Sequence, residues 1–258
     1  MKVVILCGGM GTRLRELTEV TPKPMIPIGN YPICWHIMKY FSSYGYSDFV
    51  LCLGYKKGVF IDFFLNYREH NSDITVHLGE NNATFHNNHD EEDWNVTLAD
   101  TGMETNTGGR IKRIEKYIED DNFFLTYGDG LSNVDLNDLT EMHSKNGKII
   151  TVTGVHPSSR FGEIKISKNL VESFNEKPQT SESYINGGFM VINRHIFRRY
   201  MDDNPDLDFE SEVMPSVARD GEMTVYRHDG FWQCMDTSRE YQLLNTIWGK
   251  GSAPWKRW

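Results

Sequence analysis

Val3-Val4-Ile5-Leu6-Cys7-Gly8-Gly9-Met10-Gly11-Thr12-Arg13-Leu14 begins as a β-branched apolar run and breaks at once into glycines. Such a run reads as a short buried strand, and the glycines let the chain turn tightly out of it. A helix follows, because Ile33, Ile37, Tyr40, Phe41 and Tyr44 recur at three-to-four spacing. Phe49–Leu53 repeats the strand signal, Val59–Arg68 reads as a second helix and Ile74–Leu78 as a third strand. The alternation predicts an α/β chain with a largely parallel sheet covered by helices.

Residues 79–94 carry many polar groups and no periodicity, so they read as a mobile excursion from the core. Beyond them come a strand at Val96–Ala99, a Gly/Thr-rich loop at Thr101–Gly109, a helix or arm at Arg110–Ile118 and a strand at Phe123–Tyr127 that stops at Gly128-Asp129-Gly130. After a helix at Leu136–Lys145, strand signals crowd together at Ile149–Val155, Glu163–Ser167, Leu170–Phe174 and Phe189–Ile192, which predicts that the sheet turns mixed. Helices at Ile196–Met201 and Phe209–Arg219, strands at Met223–His228 and Phe231–Met235, and a helix near Glu240–Trp248 complete the pattern. With no repeat, low-complexity tract or Pro-rich linker, residues 1–258 read as one domain with a tail at 249–258.

Of the 258 residues, 39% are hydrophobic and 24% charged, enough for a sizeable core in a soluble protein. Against 27 Lys and Arg stand 36 Asp and Glu, and the resulting charge of −9 disfavours nucleic acid and acidic membranes as partners. A phosphate site must then be a local positive pocket. Cys7, Cys34, Cys52 and Cys234 are far apart, without a CxxC pair, and read as buried, reduced thiols. Val3–Cys7 is too short for a signal-peptide core or a bilayer span, so the cytoplasm is the expected location.

Several motifs carry chemistry. Gly8, Gly9 and Gly11 between strand and helix let backbone amides approach a phosphate. No GK[ST] follows, and Leu14 takes the last position of a GxGxxG, so neither a P-loop nor a full dinucleotide fingerprint is present. In Pro22-Lys23-Pro24-Met25 two prolines fix the backbone around one lysine. Asp129, at the end of a hydrophobic strand, and Asp236, in Trp232-Gln233-Cys234-Met235-Asp236-Thr237, are strand-terminal carboxylates; with substrate phosphates, two such groups suit Mg²⁺. Phe161-Gly162-Glu163, Glu176-Lys177-Pro178 and Asn186-Gly187-Gly188 supply an acid, a base and an amide for a phosphorylated sugar. Each motif alone is more simply a turn; together they are harder to dismiss. His86, His89, Asp90, Glu91 and Asp93 read as a solvated loop rather than a metal site. Met25 and Met38 read as core or subunit contact, and Trp255 and Trp258 as candidates for packing on a neighbouring subunit.

The set LCGGMGTRL, PKPM, YGDG, FGEI, FNEKP, YINGGFMVIN and FWQCMDT, in this order, resembles the sugar-1-phosphate nucleotidylyltransferases over essentially the whole chain. Trp35-His36-Ile37-Met38, Trp94-Asn95-Val96-Thr97-Leu98, Asp100-Thr101-Gly102 and Thr107-Gly108-Gly109-Arg110 are similar to the glucose-1-phosphate cytidylyltransferase branch. Cys7 departs from the alanine usual there. The resemblance implies a Rossmann-like three-layer nucleotidyltransferase fold with a mostly parallel, partly mixed sheet. It also implies CTP and α-D-glucose 1-phosphate as substrates, CDP-glucose and pyrophosphate as products, Mg²⁺ as cofactor, and a homo-oligomer, trimeric or hexameric. Uridine or thymidine triphosphate with another phosphorylated acceptor, and a silent nucleotide-sugar-binding regulator, are the competing readings.

On that resemblance the nucleotide would lie against Leu6, Gly8, Gly9, Met10, Gly11, Thr12 and Gly128, with Arg13 on the leaving phosphates and Lys23 on the α-phosphate. Asp129 and Asp236 would hold the metal, and Gly162, Glu176, Lys177, Asn186 and Gly187 the sugar phosphate. Cytosine has an acceptor at N3 where uracil has a donor, so an N–H of Arg110, with Thr105 and backbone near Gly8, is the expected base reader.

Overall fold

The computed structural model describes residues 1–11, 18–80, 82–86, 91, 93–156, 163–167, 170–175 and 184–258, with the segments 163–167 and 170–175 described by backbone alone. The strands are β1 (Val3–Leu6), β2 (Pro27–Ile28), β3 (Tyr31–Pro32), β4 (Asp48–Leu53), β5 (Ile74–His77), β6 (Asn82–Phe85), β7 (Asn95–Asp100), β8 (Asn122–Tyr127), β9 (Gly130–Ser132), β10 (Ile150–Val155), β11 (Glu163–Ser167), β12 (Leu170–Asn175), β13 (Ile185–Asn193), β14 (Met223–His228) and β15 (Trp232–Cys234). Seven of them form one sheet in the order β14-β10-β13-β8-β1-β4-β7. β1 runs parallel to both neighbours, whereas β13 is antiparallel to β8 and to β10, so the sheet is mostly parallel and partly mixed.

Central strands of such a sheet are buried on both faces, which is why they are apolar at every position rather than at alternate ones. Val3 and Ile5 enter a core cluster with Ile37, Phe41 and Phe124, while Val4 and Leu6 enter a second cluster with Ile111, Leu125 and Ile192. The helix Ile33–Ser42 covers the first face and the helix Thr107–Arg113 the second. Among the described residues no helix is long and apolar enough to cross a membrane.

Three expectations need correction. Ile74–His77 is a strand but not a member of the main sheet: among the described residues it pairs only with Asn82–Phe85, inside the stretch expected to lack regular structure, and β7 takes the place beside β4. Its alternation of apolar and polar residues is that of a strand with one covered face, yet within this chain both faces are exposed, with Val76 at 61%. Glu91, expected in a solvated loop, is buried, with its carboxylate against Lys39 and accepting from the Tyr67 hydroxyl at 3.0 Å. His89 and Asp90 of the same group lie outside the described residues. Trp255 packs on the chain's own core, 0% exposed, with its ring 5.5 Å from Phe231 and 6.3 Å from Trp248. Trp258 likewise meets Trp35 edge-on at 5.8 Å.

Candidate active site

The carboxyl edge of the sheet gathers the motifs. Leu6 at the end of β1 lies beside Cys52 on one side and Tyr127 on the other, so the glycine turn and Gly128-Asp129 leave the sheet together. The Gly128 amide donates to the Leu6 carbonyl at 3.1 Å. A Cβ at Gly128 would stand 3.0 Å from that oxygen and 2.9 Å from Pro24, so only glycine lets the two segments approach. β13, running the opposite way, brings its start, with Asn186 and Gly187, to the same edge.

Asp236 arrives by a different route. β15 pairs with β9 so that Cys234 faces Gly130, and the Met235 amide donates to the Asp129 carbonyl at 2.9 Å. Thr237 then caps the helix Ser238–Gly249 in a capping box with Glu240, whose carboxylate also accepts from the Asp236 amide at 2.7 Å. Lys23 follows Pro22 in a single 3₁₀ turn, Lys23–Met25. Its Nζ lies 2.5 Å from Asp129 Oδ2 and 2.5 Å from Asp236 Oδ1, so the two oxygens are within about 5 Å of each other. Burial pulls the lysine downward, but the two carboxylates outweigh it and hold Lys23 protonated above the ordinary lysine value.

A cavity of about 330 Å³ opens in front of this cluster. Leu6, Gly8, Gly9, Gly11, Lys23, Thr105, Arg110, Gly128 and Asp129 all line it, while Met10 stands at 51% exposure and is not part of the wall. Thr12, Arg13, Gly162, Glu176 and Lys177 lie outside the described residues. The hard oxygens of Asp129 and Asp236 converge on one cationic centre, a donor set that fits a divalent cation held partly by substrate and water. Among the described residues no His, Cys, Asp or Glu adds a third metal ligand.

Arg110 is placed differently from expectation. Nη1 donates to Leu53 O at 3.3 Å, Thr101 Oγ1 at 2.9 Å and Gly102 O at 2.6 Å, and Nη2 to Gly8 O at 3.2 Å and Met103 O at 3.1 Å. Both terminal nitrogens therefore donate to the protein's own oxygens, while the side chain lines the cavity beside Thr105 and Gly8. The guanidinium occupies the space beside Gly8, where a Cβ would fall 2.2 Å from Nη1.

The sequence reading missed Asn106, Thr107, Tyr127 and Asp208, which share the wall. Thr107 and Tyr127 sit inside the motifs TGGR and YGDG already singled out, so a signal existed for them. Asp208 lies in a stretch that carried none.

Comparison with known proteins fixes the family. The Nucleotidyl transferase family model matches residues 2–242. The chain belongs to that family. It is 47% identical over 259 residues, covering all of both chains, to the glucose-1-phosphate cytidylyltransferase of Salmonella typhi. A probable glucose-1-phosphate cytidylyltransferase of Bacillus subtilis is 41% identical, again over the full length of both. Among solved structures, HddC from Yersinia pseudotuberculosis shares the fold with a TM-score of 0.69 at 24% identity, covering 96% of this chain and 99% of that one. In this nucleotidyl transferase the glycine turn stands at the end of the first strand of a mostly parallel sheet.

Proposed function

We infer that the protein joins CTP to α-D-glucose 1-phosphate, giving CDP-glucose and pyrophosphate. The observation that carries this reading is the 47% identity to the Salmonella cytidylyltransferase along the whole of both chains. The site's geometry agrees with the chemistry. A sugar-phosphate oxygen attacks the α-phosphorus in line, the P–O bond to the β-phosphate breaks, and pyrophosphate leaves with the electron pair. Both reactants are anions, and a single pair of like charges at 4 Å costs about 4 kcal/mol at an effective dielectric near 20. Neutralisation and alignment are thus the main tasks, and no protein nucleophile is required.

In this reading the backbone of Gly8, Gly9 and Gly11 lies along the triphosphate, with Met10, Thr12 and Arg13 beside it. Lys23 meets the α-phosphate, where negative charge builds in the transition state. Asp129 and Asp236 would hold Mg²⁺, which when bound supplies Lewis-acid charge for the transfer. Lys177 takes the sugar phosphate, with Gly162, Glu176, Asn186 and Gly187 around the sugar. Thr105 and Arg110 form the base end. Because both terminal nitrogens of Arg110 already donate to carbonyl and hydroxyl oxygens, recognition of cytosine there is an exchange of one acceptor for another. We also place the protein in the cytoplasm as a homo-oligomer; exposed Val76 and Leu78 on the β5–β6 arm support the second point.

A grid of CTP, UTP, dTTP and ATP against several sugar 1-phosphates with Mg²⁺, scored by pyrophosphate release, tests the reading. CTP with glucose 1-phosphate is the expected fastest pair. Absence of turnover in every cell would replace the enzyme with a nucleotide-sugar-binding regulator.

A further inference from the structure

The turn Phe209–Val213 is a π-helical turn, a rare geometry often found at functional sites. It carries Glu210, whose carboxylate reaches two walls of the cavity at once. Oε1 accepts from the Tyr127 hydroxyl at 2.5 Å, and Oε2 accepts from the Thr107 hydroxyl at 2.6 Å. Tyr127 in turn accepts from the side-chain amide of Asn186 at 3.2 Å, and the Asn186 carbonyl oxygen accepts from the Gly188 amide at 2.9 Å. The orientation of the Asn186 amide is therefore fixed from both ends. Burial, then the neighbouring Glu210, pushes the Tyr127 phenol well up, so it remains a neutral donor.

The other wall is tied just as closely. The Phe209 amide donates to Thr107 Oγ1 at 3.0 Å, and the Gly109 amide to the Leu207 carbonyl at 3.1 Å. A Cβ at Gly108 or Gly109 would lie 2.7 Å from the carbonyl oxygen of Leu207 or Pro205. The two glycines of the TGGR motif thus serve the docking of the segment that bears Glu210.

We propose that Glu210 is a positioning residue of the transfer reaction: with one carboxylate oxygen anchored by the Thr107 hydroxyl, it uses the other, through Tyr127, to set the Asn186 amide toward the sugar. The proposal rests on the reading of Asn186 as a sugar contact. It predicts an effect on one substrate only.

Glu210→Gln is nearly isosteric, but it presents an oxygen to one hydroxyl and an NH₂ group to the other, so one of the two O–H···O bonds is lost. The expected result is a rise of about tenfold in KM for glucose 1-phosphate, the size of one lost hydrogen bond. KM for CTP should stay within twofold and Tm within a few degrees. Tyr127→Phe cuts the same chain from its other side, so it should give a similar rise, and the double variant should be no worse than either single one. Asn186→Ala serves as the reference. If it raises KM for glucose 1-phosphate while Glu210→Gln and Tyr127→Phe leave it unchanged, or if CTP is the substrate affected, the proposal is overturned. If Asn186→Ala itself has no effect, the sugar assignment falls first and the role of Glu210 with it.

Discussion

Lys23 is one ammonium between two carboxylates, with its side chain only 12% exposed. Replacing it with alanine removes a charge from where the reacting phosphate is expected, so kcat should fall by about 10²–10³ while KM for CTP changes far less. Steady-state kinetics on Lys23→Ala decides the matter: an unchanged kcat would remove Lys23 from catalysis. The convergence of Lys23, Asp129 and Asp236 was legible because each sits in a motif at an element's end, where short-range rules apply. The arrangement around Arg110 was not. A sequence shows that a donor is present, but which carbonyls have already claimed it depends on three loops meeting in space. Glu210 was invisible for a related reason, since its partners stand 83 and 103 positions away.

At the scale of elements, periodicity found the central strands and most of the helices well. It failed where an element's partner, not its type, was in question. Ile74–His77 is a strand as expected, yet nothing in its four residues says whether it joins the sheet or folds back on Asn82–Phe85. The tail was misjudged in the opposite sense. A tryptophan in a short Pro-containing segment looks peripheral, but Trp255 completes an aromatic group with Phe231 and Trp248 and lends its indole N–H to His36 Nδ1 at 3.4 Å. Removing so large a buried ring leaves a cavity. Trp255→Ala should therefore lose about 3–5 kcal/mol in denaturant unfolding, far more than a substitution on a peripheral tail would cost.

At the scale of the whole molecule, three buried imidazoles weaken the fold as the medium turns acid. Burial lowers His36 to about 4, against the hydrogen bond its Nε2 donates to the Ile28 carbonyl, which pulls it upward, and burial lowers His143 and His228 in the same direction. Below pH 6.5 the unfolded chain binds protons at these positions that the folded chain refuses, so stability is full above pH 6.5 and drains away as the pH falls toward 4. His36 alone accounts for roughly 3 kcal/mol over that window. Denaturant midpoints between pH 7.5 and 4.5 should fall steeply for the wild type and less steeply for His36→Gln; equal slopes would show that another group governs the transition.

The doubly bridged lysine also bears on how a polyanion first reaches this acidic protein. An uncompensated pair of carboxylates beside the cavity would push an incoming triphosphate away before any contact formed. With an internal counterion seated between them, the cluster carries about half that repulsive charge, and encounter rates depend correspondingly less on ionic strength.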